Sequence, residues 1–128
     1  MRLLLDTHAV IWWFQGNLKM SRAAREAIDD PRSTVLISVV SVFELTTKHR
    51  IGKLSEVTEL LEDLSGYIAM QGFTVLPLSL AHAELGGRLD IPHRDPFDRL
   101  LIAQAQVEGA SLVSNETLFD GFGVRRLW

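Results

Sequence analysis

The chain contains no cysteine among its 128 residues, which excludes a disulfide framework, thiolate-bound metals and a cysteine nucleophile. Its histidines, His8, His49, His82 and His93, form no pair at the short spacing a zinc site requires. No G-x-S-x-G, P-loop or G-x-G-x-x-G occurs, so a serine-hydrolase elbow and a glycine-rich phosphate cradle are both excluded. Long apolar runs are missing too. No stretch approaches a membrane span, and Met1-Arg2-Leu3-Leu4-Leu5-Asp6 meets an acid after three leucines, too soon for a signal segment. A cytoplasmic location without a membrane partner is the expectation. Positive charge is scarce: 13 Lys and Arg stand against 16 Asp and Glu, a formal net charge of −3. That balance disfavours phosphate binding by basic side chains alone. Local basic groups do exist at Lys48-His49-Arg50 with Lys53, at Arg88, Arg94 and Arg99, and at Arg125-Arg126, where a solvated surface is an equally good explanation.

What is present is an ordinary globular composition, 47% hydrophobic and 23% charged, at a length that suits one domain over residues 1–128. Leu3–Leu5 is an unbroken apolar run ending at an acid, the pattern of a buried parallel strand. Thr7–Gln15 predicts a helix stopped by Gly16, and Ser21 caps a second helix closed by Asp29-Asp30-Pro31. Val35–Val39 predicts a strand, Ser41 to about Arg50 a helix, and Glu56–Met70 a helix with apolar positions at Val57, Leu60, Leu61, Leu64 and Ile68. Phe73–Leu76, Leu112-Val113 and Val124–Leu127 predict further short strands. Helices follow at Ser79–Leu89 and from Pro96 to Val107, with Pro96 in the first turn. Strands alternating with helices imply an α/β fold, a central parallel sheet of about four to five strands with helices on both faces.

Several of these strands end near an acid. Asp6 follows the first, Glu44 lies just beyond the second, Asp98 sits in Asp95-Pro96-Phe97-Asp98, and Glu116 follows Ser111-Leu112-Val113-Ser114-Asn115. In an open α/β sheet the functional crevice lies outside the carboxyl ends of the strands, so these acids can converge there. Converging carboxylates without Cys or a His cluster suit Mg²⁺, with Mn²⁺ able to substitute, better than zinc or copper. Metal-assisted phosphodiester hydrolysis is the chemistry that follows. Each acid also has a plain structural reading. Asp6 can cap the helix that begins at Thr7, Ser41-x-x-Glu44 reads as a capping box, and Asp95 reads as an N-cap with Asp98 at N3. Asp95 is expected to be structural and Asp98 functional, and Glu116 is preferred to Asp120 as the fourth acid. Trp12, Trp13 and Phe14 crowd one helix beside Asp6, as core residues or as a partner-binding surface.

On these residues the chain resembles the PIN-domain family and, within it, the VapC toxins of type II toxin–antitoxin systems. The resemblance is carried by Leu3-Leu4-Leu5-Asp6-Thr7-His8-Ala9, Ser41-x-x-Glu44 with Lys48 and Gly52-Lys53-Leu54, Arg94-Asp95-Pro96-Phe97-Asp98-Arg99-Leu100-Leu101-Ile102-Ala103, and Leu112-Val113-Ser114-Asn115-Glu116. It implies a PIN-like nuclease domain, a Mg²⁺-dependent endoribonuclease that hydrolyses RNA and is held inactive by a cognate antitoxin, with a homodimer expected. Asp6, Glu44 and Asp98 fall on the family's three principal acidic positions. Glu116 falls where the family often carries Asp, so its longer side chain is a departure. Lys48, Arg94 and Arg99 are the expected contacts to the RNA backbone. Two rivals are a haloacid-dehalogenase-like phosphatase, which would want an acid two residues after Asp6 where this chain has His8, and a catalytically degenerate RNA- or protein-binding domain of the same fold.

Overall fold

The computed structural model describes residues 1–128 and contains five parallel strands in one sheet, with helices on both faces. Strand β1 (Arg2–Leu5) is central. It pairs with β2 (Thr34–Ser38) on one side, Leu3 opposite Val35, and with β4 (Ser111–Val113) on the other, Leu3 opposite Ser111. The full order is β3-β2-β1-β4-β5, with β3 (Thr74–Leu76) and β5 (Arg126–Leu127) at the edges. Connections from β1 run first towards β3 and then return to β4. The chain therefore reverses direction at β1, and a crevice opens outside its carboxyl end.

Side-chain alternation along the strands makes two apolar layers. Leu3, Leu5, Val35, Ile37 and Val113 face α1 (Thr7–Gln15), α2 (Arg22–Asp29) and Ile68 of α5 (Leu64–Met70). On the other face Leu4, Leu36 and Leu112 meet Leu101, Ile102 and Ala105 of α7 (Pro96–Glu108), and Phe119. Helix α3 (Val39–Arg50) serves both layers, through Leu45 and Val40. Helix α6 (Leu80–Arg88) lies against α7 at Gly86, where an added Cβ would stand 3.1 Å from the Leu100 side chain. No helix is long and apolar enough to cross a membrane.

Most expected elements are present, and two boundaries differ for local reasons. The second strand ends at Ser38, whose hydroxyl accepts from the Val40 N–H at 3.0 Å and donates to Gln104 Oε1. Helix α3 therefore starts at Val39, two residues before Ser41, and the Ser41–Glu44 capping box does not form. Ser41 is buried within the helix, with no hydrogen-bond partner for its hydroxyl. The helix expected over Glu56–Met70 is a 3₁₀ turn (Ser55–Val57), a short α4 (Thr58–Glu62) and α5. The break falls at Asp63, which leaves helical geometry (φ −149°, ψ 58°) and accepts the Gly66 N–H as cap of α5. An N-capping side chain has here overridden a continuous helical period.

Candidate active site

A cleft of about 170 Å³ opens at the carboxyl edge of the sheet. Asp6, Glu44, Asp98 and Glu116 all line it, together with Asp95, Lys48, Thr7 and His8. Side chains from four separate segments meet there because each segment leaves the same sheet edge.

Asp6 occupies the first position past β1, where its N–H still bonds to Val113 O at 3.1 Å. Its carboxylate is buried and accepts the Ala9 N–H at 2.8 Å, so the residue caps α1 and faces the cleft at once. The two sequence readings of Asp6 are thus compatible. Loss of water around it pushes its pKa up to about 6, against the pull of the Ser114 hydroxyl, the Ala9 N–H and His8; the charge of Glu116 adds to the rise.

Glu44 lies on the second turn of α3 and is also buried. Its Oε1 accepts from the Thr7 hydroxyl and its Oε2 from Lys48 Nζ, both at 2.5 Å. The i,i+4 spacing puts Lys48 directly over Glu44 on the same helix face. Glu44 thus lines the cleft, held by a lysine and a hydroxyl, and does not cap the helix end.

At the start of α7, Asp95 and Asp98 take different partners. Asp95 Oδ1 accepts the Asp98 N–H at 3.0 Å, an N-cap with Pro96 at the first helical position. The Asp98 carboxylate turns instead to His93 Nε2 at 2.7 Å. Burial raises the Asp98 pKa, with Asp95 and Glu44 adding to the rise and His93 opposing it. Glu116 is exposed after β4, and its N–H bonds to Ser114 Oγ at 3.0 Å. Asp120 is held by Arg126 at 2.6 Å, outside the cleft that Glu116 lines.

No three of these side chains close on one point at metal-ligand distance. Three of the carboxylates instead take donors of the protein: Asp6 the Ala9 N–H, Glu44 the Thr7 hydroxyl and Lys48, and Asp98 the His93 ring. The donor set nonetheless fits a hard cation by its chemistry. Asp6, Glu44, Asp98, Glu116 and Thr7 offer carboxylate and hydroxyl oxygens and no thiolate, and burial, with a smaller push from neighbouring carboxylates, raises the pKa of Asp6 and Asp98.

The three expected substrate contacts separate. Lys48 is in the cleft, and Arg94 is exposed on the loop beside it. Arg99 does neither. Its guanidinium donates to the carbonyls of Gly86, Gly87, Leu89, Ile91 and His93, clamping the α6–α7 loop. Five carbonyl acceptors use up its donors, so Arg99 is a loop anchor and not an RNA contact. Sequence reasoning in turn gave no role to His93 or Ser114, which meet Asp98 and Asp6. Only their nearness to the acids along the chain hinted at either. Trp12, Trp13 and Phe14 are half-buried against the core: Trp12 packs at a tilt against Trp128 (5.6 Å) and His8 (5.5 Å), and Trp13 and Phe14 pack on Phe73.

Comparison with known proteins agrees with this architecture. The family model described as PIN domain matches residues 3–123. Ribonuclease VapC22 of Mycobacterium tuberculosis is 30% identical over 117 residues, covering 89% of this chain and 86% of that protein. In fold, the chain is similar to the crystal structure of DNA-bound VapBC from Salmonella typhimurium (TM-score 0.75, 21% identity, 99% of this chain and 97% of that one). It is also similar to that of VapBC2 from Rickettsia felis bound to a fragment of promoter DNA (TM-score 0.74, 18% identity, 99% and 98%). With the sheet order, the cleft and these matches together, the chain belongs to the PIN-domain family, in its VapC branch.

Proposed function

We propose that this protein is a divalent-metal-dependent endoribonuclease, the toxin of a type II toxin–antitoxin pair. The observation that carries the reading is the charge of the cleft: five acids line it with a single lysine. Such a cleft repels a phosphodiester unless a cation is bound, and it offers a cation several oxygen donors. Asp6, Glu44, Asp98 and Glu116 are the residues that would hold it, Mg²⁺ by preference and Mn²⁺ in its place. When bound, the cation supplies an activated water and neutralises charge on the phosphate and leaving oxygen.

The protein's own groups prepare that site. Thr7 and Lys48 orient Glu44 from two sides, and the Ala9 N–H fixes Asp6. Lys48 can turn from Glu44 to a phosphate oxygen once a cation has taken over the carboxylate's charge, and Arg94 extends the contact along the RNA backbone. The rival phosphatase reading needs an acid at position 8, where the exposed His8 ring instead packs at a tilt against Trp12.

Inhibition by an antitoxin fits the same electrostatics. A partner's guanidinium placed among Asp6, Glu44 and Asp98 would compete with the cation and block the phosphate. The VapBC complexes among its structural neighbours support a partner of that kind. A homodimer is proposed through the apolar groove of Val39, Val40, Phe43, Leu78, Pro96, Phe97 and Leu100, where Phe43 is 63% exposed. The setting proposed is the cytoplasm, where RNA is available.

Incubation of a labelled RNA with the purified protein in Mg²⁺, in Mn²⁺ and in chelator tests the activity. Fragments are expected in the first two only. RNA that is bound but left intact in all three would identify a binding domain instead.

A further inference from the structure

His93 precedes α7 and is fixed on several sides. Its Nε2 lies 2.7 Å from Asp98 Oδ2. Its ring packs against Phe119, edge-on at 6.5 Å, and Phe122 at 5.8 Å. Its carbonyl accepts from Arg99 Nη1 at 2.9 Å, within the guanidinium clamp that ties down the rest of the loop. Aromatic packing alone does not call for a ring nitrogen, and a phenylalanine would fill the same space. The nitrogen matters because Asp98 has like charges close by: Asp95 and Glu44 both act on its carboxyl. Without a fixed donor, that carboxylate is free to swing away from them and out of the cleft it lines.

We propose that His93 is the positioning residue of Asp98: it holds Oδ2, leaving Oδ1 for a divalent cation in the cleft. This rests on the metal-site reading given above. A histidine behind a carboxylate ligand belongs to the outer shell that orients ligands, and losing such a partner typically weakens metal binding by about 10–100-fold. Arg99 and the two phenylalanines act through it by keeping the ring in place.

The test uses three variants of the full chain, His93→Phe, His93→Gln and Asp98→Ala, with Mn²⁺ titrated by calorimetry and the metal-free proteins melted in parallel. His93→Phe keeps the ring and deletes the donor; it should bind Mn²⁺ about 10–100-fold more weakly than wild type while melting no lower. His93→Gln keeps a donor and loses the ring; it should bind within a few-fold of wild type even if it melts earlier. A His93→Phe variant with wild-type Mn²⁺ affinity, beside a weakened Asp98→Ala, would overturn the positioning role and leave the metal site standing. A His93→Gln variant as weak as Asp98→Ala would overturn it too, since packing and not the donor would then be what counts. Should Asp98→Ala itself bind Mn²⁺ like wild type, the positioning role and the metal site fall together.

Discussion

Replacing Asp6 by Asn should stabilise the metal-free protein, and the gain should depend on pH. In the unfolded chain this carboxyl titrates near 3.8, whereas in the fold burial pushes it up to about 6. Between those pH values the folded state keeps a proton that the unfolded state has released. Stability is therefore full below about 3.8, falls as pH rises through the window, and stays reduced above about 6. The displacement corresponds to about 3 kcal/mol for a carboxyl this deeply buried. Asparagine carries no charge and caps a helix as well as aspartate does, so the bond from the Ala9 N–H survives. Its amide N–H₂ must find acceptors near Ser114 and Glu116, which reduces the net gain to about 1–3 kcal/mol. At about pH 8 that is a rise in melting temperature of roughly 3–10 °C, shrinking towards zero at about pH 3.5. Thermal melts of both proteins across this range check it. A variant that melts no higher than wild type at high pH, or whose advantage does not change with pH, would refute the reasoning. Mn²⁺ should raise the wild-type melting temperature and leave that of Asp6→Asn nearly unmoved, because only a ligand of the folded state stabilises it.

The two acids at the start of α7 should separate by phenotype. Asp95→Ala is expected to lose about 1 kcal/mol as a missing N-cap while still cutting RNA, and Asp98→Ala to lose cutting with little change in stability; paired unfolding and cleavage assays read both. Arg99→Ala should destabilise by about 2–3 kcal/mol through five carbonyls left without a donor, visible in denaturant midpoints. Its RNA affinity at matched folded fraction should stay close to wild type. Trp13→Ala should cost about 2–4 kcal/mol, a little under the value for a fully buried tryptophan because the ring is half-exposed, as urea unfolding will show.

How much of this was legible in the sequence depended on the range of the interactions. The strands were, because a buried parallel sheet writes unbroken apolar runs such as Leu3–Leu5, and the caps Ser21, Ser79 and Asp95 lie where local chemistry puts them. The choice between Ser38 and Ser41 was not. Both are serines at a strand-to-helix junction, and the partner that helps settle Ser38, Gln104, is 66 residues away. Glu44 looked like a cap for the same reason, since Thr7, 37 residues earlier, is invisible to local spacing. Arg99 was misjudged because a run of basic residues near acids suggests phosphate, whereas its five carbonyl partners appear only once α6 and α7 pack. Asp6, Glu44, Asp98 and Glu116 could be grouped from sequence because strand ends share one edge of the sheet. The donors that each carboxylate actually takes depend on side-chain packing across that edge.

The claim that the cleft acids direct water at an RNA phosphodiester is tested most directly by digesting RNA with wild type and Asp6→Asn in ¹⁸O-labelled water with Mg²⁺, and weighing the product ends by mass spectrometry. Attack by water predicts one ¹⁸O in each new terminal phosphate, no 2′,3′-cyclic phosphate, and no product from Asp6→Asn. Cyclic-phosphate ends, or equal product from the Asp6→Asn protein, would contradict it.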